Sequence, residues 1–169
     1  MGRSDSVREL KRLRLFMLIL SSIGIALSLY ALYVEVSKES DGNYQAMCDI
    51  SPSMSCSKVF TSKYGRGFGI VGELLGHDHI LNQPNSIPGI LFYLLVIILG
   101  EIKNLRAAKV QKILLFFSNF MSLYLAYLLY FVLHDFCVVC VSTYIVNLLL
   151  TVCGFRRVTV LQNLRKKVK

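Results

Sequence analysis

The stretch "HDFCVVCVSTY", residues 134–144, sets Cys137 and Cys140 three positions apart, where polar sequence gives way to a long apolar run. A C-x-x-C spacing serves one of three chemistries: a redox-active dithiol, a structural bridge, or half of a zinc site. On a helix, residues three apart bring their Cα atoms to about 5 Å, within the range a disulfide accepts. Cys137 would then stand at a helix N-terminus, where the macrodipole favours thiolate. A bridge confined to one helical turn closes too short a loop to stabilise much. Two valines between the thiols, and no histidine at ligand spacing, weigh against zinc. The balance favours redox chemistry, with the bridge and the metal site as competitors.

A second pair, Cys48 and Cys56, lies in "YQAMCDISPSMSCSKVF" around a Ser/Pro-rich turn. Alone, two such cysteines read as a static staple. Beside a second pair they admit a relay, in which electrons pass by thiol–disulfide exchange through a mixed disulfide. A zinc site built from all four is the third reading.

The elements that must position these thiols follow from the apolar runs. Hydrophobic residues make up 54% of the 169, against 17% charged, too apolar for an ordinary soluble fold. Residues 15–34, 113–133 and 136–155 are uncharged over 20, 21 and 20 positions. About 20 residues of helix cross ~30 Å of hydrocarbon, so each run predicts a span. "IPGILFYLLVIILG", residues 87–100, predicts a fourth and shorter span. The polar "LNQPNS" before it must face protein or a cavity rather than lipid. The first run is too long for a signal-peptide core and lacks an A-x-A-like exit, so it reads as an anchor. The expectation is a single integral membrane domain over residues 1–169. Its spans are about 15–34, 86–102, 112–133 and 136–155, with a cap loop at 35–85.

The net charge of +9 suggests nucleic acid until its distribution is inspected. Basic residues precede the first run, separate the second from the third, and follow the last, whereas 35–86 holds four basic and six acidic residues. That alternation is the positive-inside pattern of four helices with both termini cytoplasmic, and it excludes a nucleic-acid partner as the reason for the charge. Cys48, Cys56, Cys137 and Cys140 then share the non-cytoplasmic side, where disulfides persist, and Cys153 lies toward the other.

Within the loop, "GRGFG" at 65–69 offers glycines for positive φ or close approach, with Phe68 able to dip into the interface, or else a mobile turn. "IVGELLG", 70–76, reads as an amphipathic segment on the bilayer surface. Asn82 and Asn85 stand at the broken start of the second span, and Thr143 and Tyr144 lie one turn beyond Cys140. Polar groups at that depth are expensive and usually functional. An amide donor, a phenol donor and a thiol suit a lipophilic carbonyl compound such as a quinone. The plainer account makes Asn85 a helix cap and Tyr144 a belt aromatic. Gly24/Ser28 and Ser118/Ser122/Ala126 are small residues at four-residue spacing that permit close helix packing. His77, His79 and His134 show no ligand pattern, and no metal site is expected.

Taken together, "CDISPSMSC", "GRGFG", "LNQPNS" and "FCVVCVSTY" resemble the vitamin K epoxide reductase family, in its vertebrate-type enzyme or paralogue form, from about Ser28 to Phe155. The resemblance implies an all-α membrane protein of the endoplasmic reticulum, a four-transmembrane-helix bundle around a quinone with a luminal cap loop. It implies that Cys137 and Cys140 are the catalytic pair, with Cys140 nearest the quinone, and that Cys48 and Cys56 are the shuttle, Cys56 exchanging with Cys137. Asn85 and Tyr144 would hydrogen-bond the substrate's oxygens and Phe60 would help close the pocket.

No permanently bound cofactor is implied. The partners would be a thioredoxin-like luminal electron donor, the quinone itself, and coumarin-type inhibitors. Tyr64 stands where the family commonly has tryptophan and Pro88 where it usually has an aromatic, and Cys153 has no matching role. Lys166 and Lys167 resemble a dilysine retrieval signal. The implied function is thiol-dependent reduction of vitamin K 2,3-epoxide to quinone and of quinone to hydroquinone. The alternatives are a quinone-coupled oxidase that makes disulfides and a non-enzymatic four-span scaffold stapled by two bridges.

Overall fold

The computed structural model describes residues 3–51, 54–76 and 79–166. His77, part of the Ser/Pro turn (52–53) and Lys167 of the dilysine pair lie outside the described residues. The elements in chain order are α1 (Arg3–Ser40), α2 (Cys56–Thr61), α3 (Val71–Leu75), α4 (Ser86–Glu101), α5 (Leu105–Tyr127) and α6 (Val138–Lys166). A 3₁₀ turn at Gly67–Gly69 precedes α3, and α5 runs on into a π-turn at Leu128–Val132. Among the described residues there is no strand, only isolated bridges between Ser51 and Met54 and between Arg66 and Pro84.

The protein is an all-α membrane protein. Among the described residues three helices are long and apolar enough to cross a bilayer, and α4, at 16 residues, is a shorter apolar helix. At 1.5 Å per residue α4 covers roughly 24 Å, short of the hydrocarbon thickness. Helix α1 begins well before the apolar run, because the Arg, Glu, Lys and Leu residues ahead of it are good helix formers. For the same reason α6 continues past Phe155 to Lys166.

The outward faces carry the large apolar side chains, among them Phe16, Ile19, Leu94, Ile98, Phe117, Leu123, Leu148 and Val152. Ser21, Ser28, Gln111, Ser122 and Arg157 point inward. That inversion is stable where the surrounding solvent is hydrocarbon. Glycines leave room for close packing between α1 and α4. A Cβ on Gly24 would collide with the Tyr93 ring of α4, and one on Gly89 would lie 3.1 Å from Ser28 Oγ.

The two ends of the bundle differ in kind. At one, Arg157 of α6 donates to the carbonyls of Leu99 (3.0 Å), Gly100 (3.0 Å) and Ile102 (2.7 Å), and to Gln111 Oε1. These bonds satisfy the open carbonyls at the C-terminus of α4 and keep the buried guanidinium solvated. An Arg14–Glu101 ion pair closes the same end. At the other end the described residues between α1 and α4 fold over the helices, and the turn at 133–137 joins α5 to α6. The buried core divides accordingly. A lower cluster holds Met17, Leu20, Tyr93, Leu115, Leu150 and Cys153, and an upper one lies beneath the loop.

Candidate active site

The C-x-x-C pair stands where α6 begins. Its Cα atoms are 5.3 Å apart and the pair is disulfide-bonded. Cys137 is fully buried, whereas Cys140 is partly open to a cavity. The backbone N–H of Cys140 donates to Cys137 Sγ at 3.2 Å. Once the bridge is reduced, that N–H at the helix start would stabilise negative charge on the sulfur.

The loop pair, Cys48 and Cys56, is also bonded, with Cα atoms 5.7 Å apart. Cys56 opens α2, whose N-cap is Ser55, its hydroxyl accepting the N–H of Lys58 at 3.3 Å. Asp49 holds this segment together. One carboxylate oxygen accepts the Ser55 hydroxyl (2.9 Å) and the Ser57 N–H (3.0 Å). The other accepts the Ala46 N–H (2.8 Å) and the Ser57 hydroxyl (2.7 Å). Burial alone would raise its pKa, but these hydrogen bonds to the charged form outweigh it and hold the carboxyl down at about 2.

Lys58 of α2 reaches Asp135 in the α5–α6 turn at 3.9 Å, placing the loop helix beside the C-x-x-C turn. All four cysteines share the upper core: Cys48, Cys56 and Cys137 are buried in it with Ala31, Val34 and Leu129, and Cys140 packs against it. The sequence could sort the two pairs to one side of the membrane, and folding brings them into one cluster.

Beneath the cysteines lies a cavity of about 430 Å³, whose walls include Phe60, Phe68, Asn85, Cys140 and Tyr144. Phe60 comes from α2, so the helix that carries Cys56 also supplies part of the lid. Tyr64 and Pro88, the two departures from the family pattern, line the cavity as well, and Asn82 does not. A Cβ on Gly67 would instead meet the Asn82 side chain. Tyr144 faces this interior space rather than lipid, and among the described residues its hydroxyl has no hydrogen-bond partner. Thr143 is spent locally, donating to the Cys140 carbonyl at 2.7 Å.

Asn85 holds the N-cap position of α4, but its side chain makes no bond to the first turn. It reaches back into "GRGFG" instead. Its Oδ1 accepts the Phe68 N–H at 2.8 Å, and its Nδ2 donates to the Tyr64 carbonyl at 2.7 Å. Its backbone N–H also donates to the Gly65 carbonyl at 2.8 Å. One amide hydrogen remains to serve a ligand. The glycine-rich segment is therefore a defined turn, with Gly67, Phe68 and Gly69 at φ of 53°, 57° and 71°. Phe68 turns into the cavity rather than the membrane interface.

Three groups escaped the sequence reading. Glu35, almost wholly buried at the cavity wall, accepts Arg66 Nε at 3.0 Å, and Arg66 also pairs with Glu39. An acidic residue right at the end of an apolar run was the available signal. On the cavity floor, Tyr93 donates to Asn147 Oδ1 at 2.9 Å, and Asn147 Nδ2 donates to Ser122 Oγ at 2.9 Å. Asn147 lies seven residues after Cys140, on the same helix face. The third is the Tyr30 hydroxyl, 3.7 Å from Cys48 Sγ.

Paired thiols over an apolar cavity within a helical bundle define a membrane-embedded oxidoreductase. A family model described as the vitamin K epoxide reductase family matches residues 15–155. The chain is 47% identical over 135 residues to vitamin K epoxide reductase complex subunit 1 of Mus musculus, covering 80% of this chain and 84% of that protein. It is also 47% identical over 139 residues to the Rattus norvegicus protein of the same name, with the same shares. The chain belongs to the vitamin K epoxide reductase family.

Proposed function

We propose that the protein reduces vitamin K 2,3-epoxide to the quinone, and the quinone to hydroquinone, with electrons drawn through its two cysteine pairs. The observation that carries this reading is the single buried cluster containing all four cysteines, with Cys140 open to an apolar cavity. In this account the Cys140 thiolate attacks the substrate, while Tyr144 and the free hydrogen of Asn85 donate to the oxygen where charge develops. Cys137 then displaces the adduct, forming the Cys137–Cys140 disulfide. Each turnover moves two electrons and two protons. The epoxide leaves as quinone and water, the quinone as hydroquinone.

The loop pair restores the dithiol. Cys56 attacks Cys137, Cys48 resolves the mixed disulfide, and a thioredoxin-like luminal dithiol protein reduces Cys48–Cys56 in turn. No cofactor is held permanently. The enzyme would sit in the endoplasmic reticulum membrane with both termini cytosolic and the cysteines facing the lumen, the orientation that the basic ends favour. The test is reductant-driven conversion of vitamin K epoxide in membranes. Wild type should turn over and Cys140→Ala should not; equal rates would overturn the assignment.

A further inference from the structure

We propose that Tyr30 is a catalytic residue of the relay: its hydroxyl, on Cys48 Sγ, stabilises Cys48 as the thiolate that resolves the Cys56–Cys137 mixed disulfide. The inference rests on the relay described above. Tyr30 projects from α1 into the upper core, and its O–H donates to Cys48 Sγ at 3.7 Å. The surroundings of Cys48 otherwise oppose an anion. The residue is buried among Ala31, Val34 and Ala46, and the next residue along the chain is the Asp49 carboxylate. Apolar burial and a neighbouring negative charge both disfavour thiolate. A thiol is a poor nucleophile in exchange, so an attacking sulfur in such a place needs a donor.

The electron bookkeeping identifies which step would use that donor. After turnover the C-x-x-C pair is oxidised and the loop pair has been reduced by the partner dithiol. The Cys56 thiolate attacks Cys137 Sγ, breaking the Cys137–Cys140 bond and freeing Cys140 as thiolate. The Cys48 thiolate then attacks Cys56 Sγ, forming Cys48–Cys56 and releasing Cys137 as thiolate. The two protons that leave Cys56 and Cys48 end on Cys140 and Cys137, so the exchange is balanced without further reactants. Negative charge enters this last step on Cys48 and leaves on Cys137. Among the described residues, those are the two cysteine sulfurs that accept a hydrogen bond, from Tyr30 O–H on the first and the Cys140 N–H on the second. Fixed donors at both ends of a charge transfer lower its barrier without reorganisation.

The experiment compares wild type, Tyr30→Phe and Tyr33→Phe as full-length protein in membranes. Tyr33 packs edge-on against Tyr44 and serves as the neighbouring-phenol control. Turnover is driven either by a small membrane-permeant dithiol, which reduces the C-x-x-C pair directly, or by a thioredoxin-like protein. Acid-quenched, alkylated samples report the mixed disulfide by mass spectrometry.

Tyr30→Phe should keep small-dithiol turnover within about twofold, which also certifies folding. With the protein reductant it should slow about tenfold near neutral pH, the loss expected for one hydrogen bond to a charged group. The Cys56–Cys137 species should accumulate, and the deficit should narrow as pH rises and Cys48 ionises unaided. Tyr33→Phe should match wild type throughout. Equal losses under both reductants, or wild-type levels of the mixed disulfide with an unchanged pH profile, would overturn the proposal. Cys140→Ala run in parallel separates the premise from the inference. If it traps no Cys56–Cys137 bond, the relay fails and the proposal with it. If it traps that bond while Tyr30→Phe behaves as wild type, only the role of Tyr30 fails.

Discussion

Asn85 Oδ1 accepts the backbone N–H of Phe68 at 2.8 Å, and through that bond the start of α4 fixes a residue held at a φ of 57°. A bulky residue in the left-handed region is strained unless its surroundings over-determine it. Asn85 does so from two sides, since its Nδ2 also holds the Tyr64 carbonyl. Asn85→Ala should leave both groups without their partner, costing about 1–3 kcal/mol for each that stays dry. The circular-dichroism melting midpoint in detergent should fall, and turnover and inhibitor binding should fall with it. Asn85→Asp keeps the acceptor and loses the donor, so its midpoint should lie between. An unshifted midpoint with abolished activity would instead make the amide a ligand contact alone.

Tyr144 offers the complementary case, a phenol that faces the cavity and bonds to nothing among the described residues. Under the proposed function, coumarin-type inhibitors would bind in this cavity, their acidic oxygens mimicking the charge that develops during reduction better than the quinone does. Tyr144→Phe keeps the ring and removes one donor to that charge, worth roughly 1.5–3 kcal/mol, or about ten- to hundredfold in affinity. The inhibition constant should rise by that factor, and quinone turnover should change less. An unchanged inhibition constant would return Tyr144 to the wall of the cavity.

Asp49 makes the loop sensitive to acid. Its carboxyl titrates at about 2, below the ~3.9 of an unfolded aspartate, so its stabilising effect is complete above roughly pH 4 and is lost as pH falls toward 2. Hydrogen-exchange protection of residues 46–51 and 54–57 should drop across that window in wild type. In Asp49→Asn protection should be lower at neutral pH and flat across the same window. A drop of equal size in the variant would assign the acid response to another group.

The sequence showed some parts of this site better than others, and for physical reasons. The apolar runs and the charge alternation located the helices and sorted the thiols, because hydrocarbon imposes length and polarity on anything that crosses it. Helix ends were less legible. The charged segments of α1 and α6 continue as helix, and nothing in an uncharged-run criterion reports that. Asn85 is legible as the N-cap residue of α4, but its side chain does not cap that helix. Its bonds run to residues about twenty positions earlier, and local spacing carries no information about such a pairing. The partners of Glu35 and Tyr30 lie in the loop, at Arg66 and Cys48, and the Tyr93–Asn147–Ser122 chain joins three helices, so local spacing does not report these pairings; only the acidic type of Glu35 at the end of an apolar run is a local signal.

The central claim is that electrons cross from the loop pair to the C-x-x-C pair through Cys56 and Cys137. Cys140→Ala tests it directly, by removing the thiol that would otherwise re-form the bond with Cys137. In that variant the Cys137 thiolate should attack the Cys48–Cys56 disulfide at Cys56 and free Cys48. Non-reducing mass spectrometry of the full-length variant should then find the Cys56 and Cys137 peptides joined, with Cys48 alkylated. An intact Cys48–Cys56 bridge alongside a freely alkylated Cys137 would contradict the relay and leave the loop pair a structural staple.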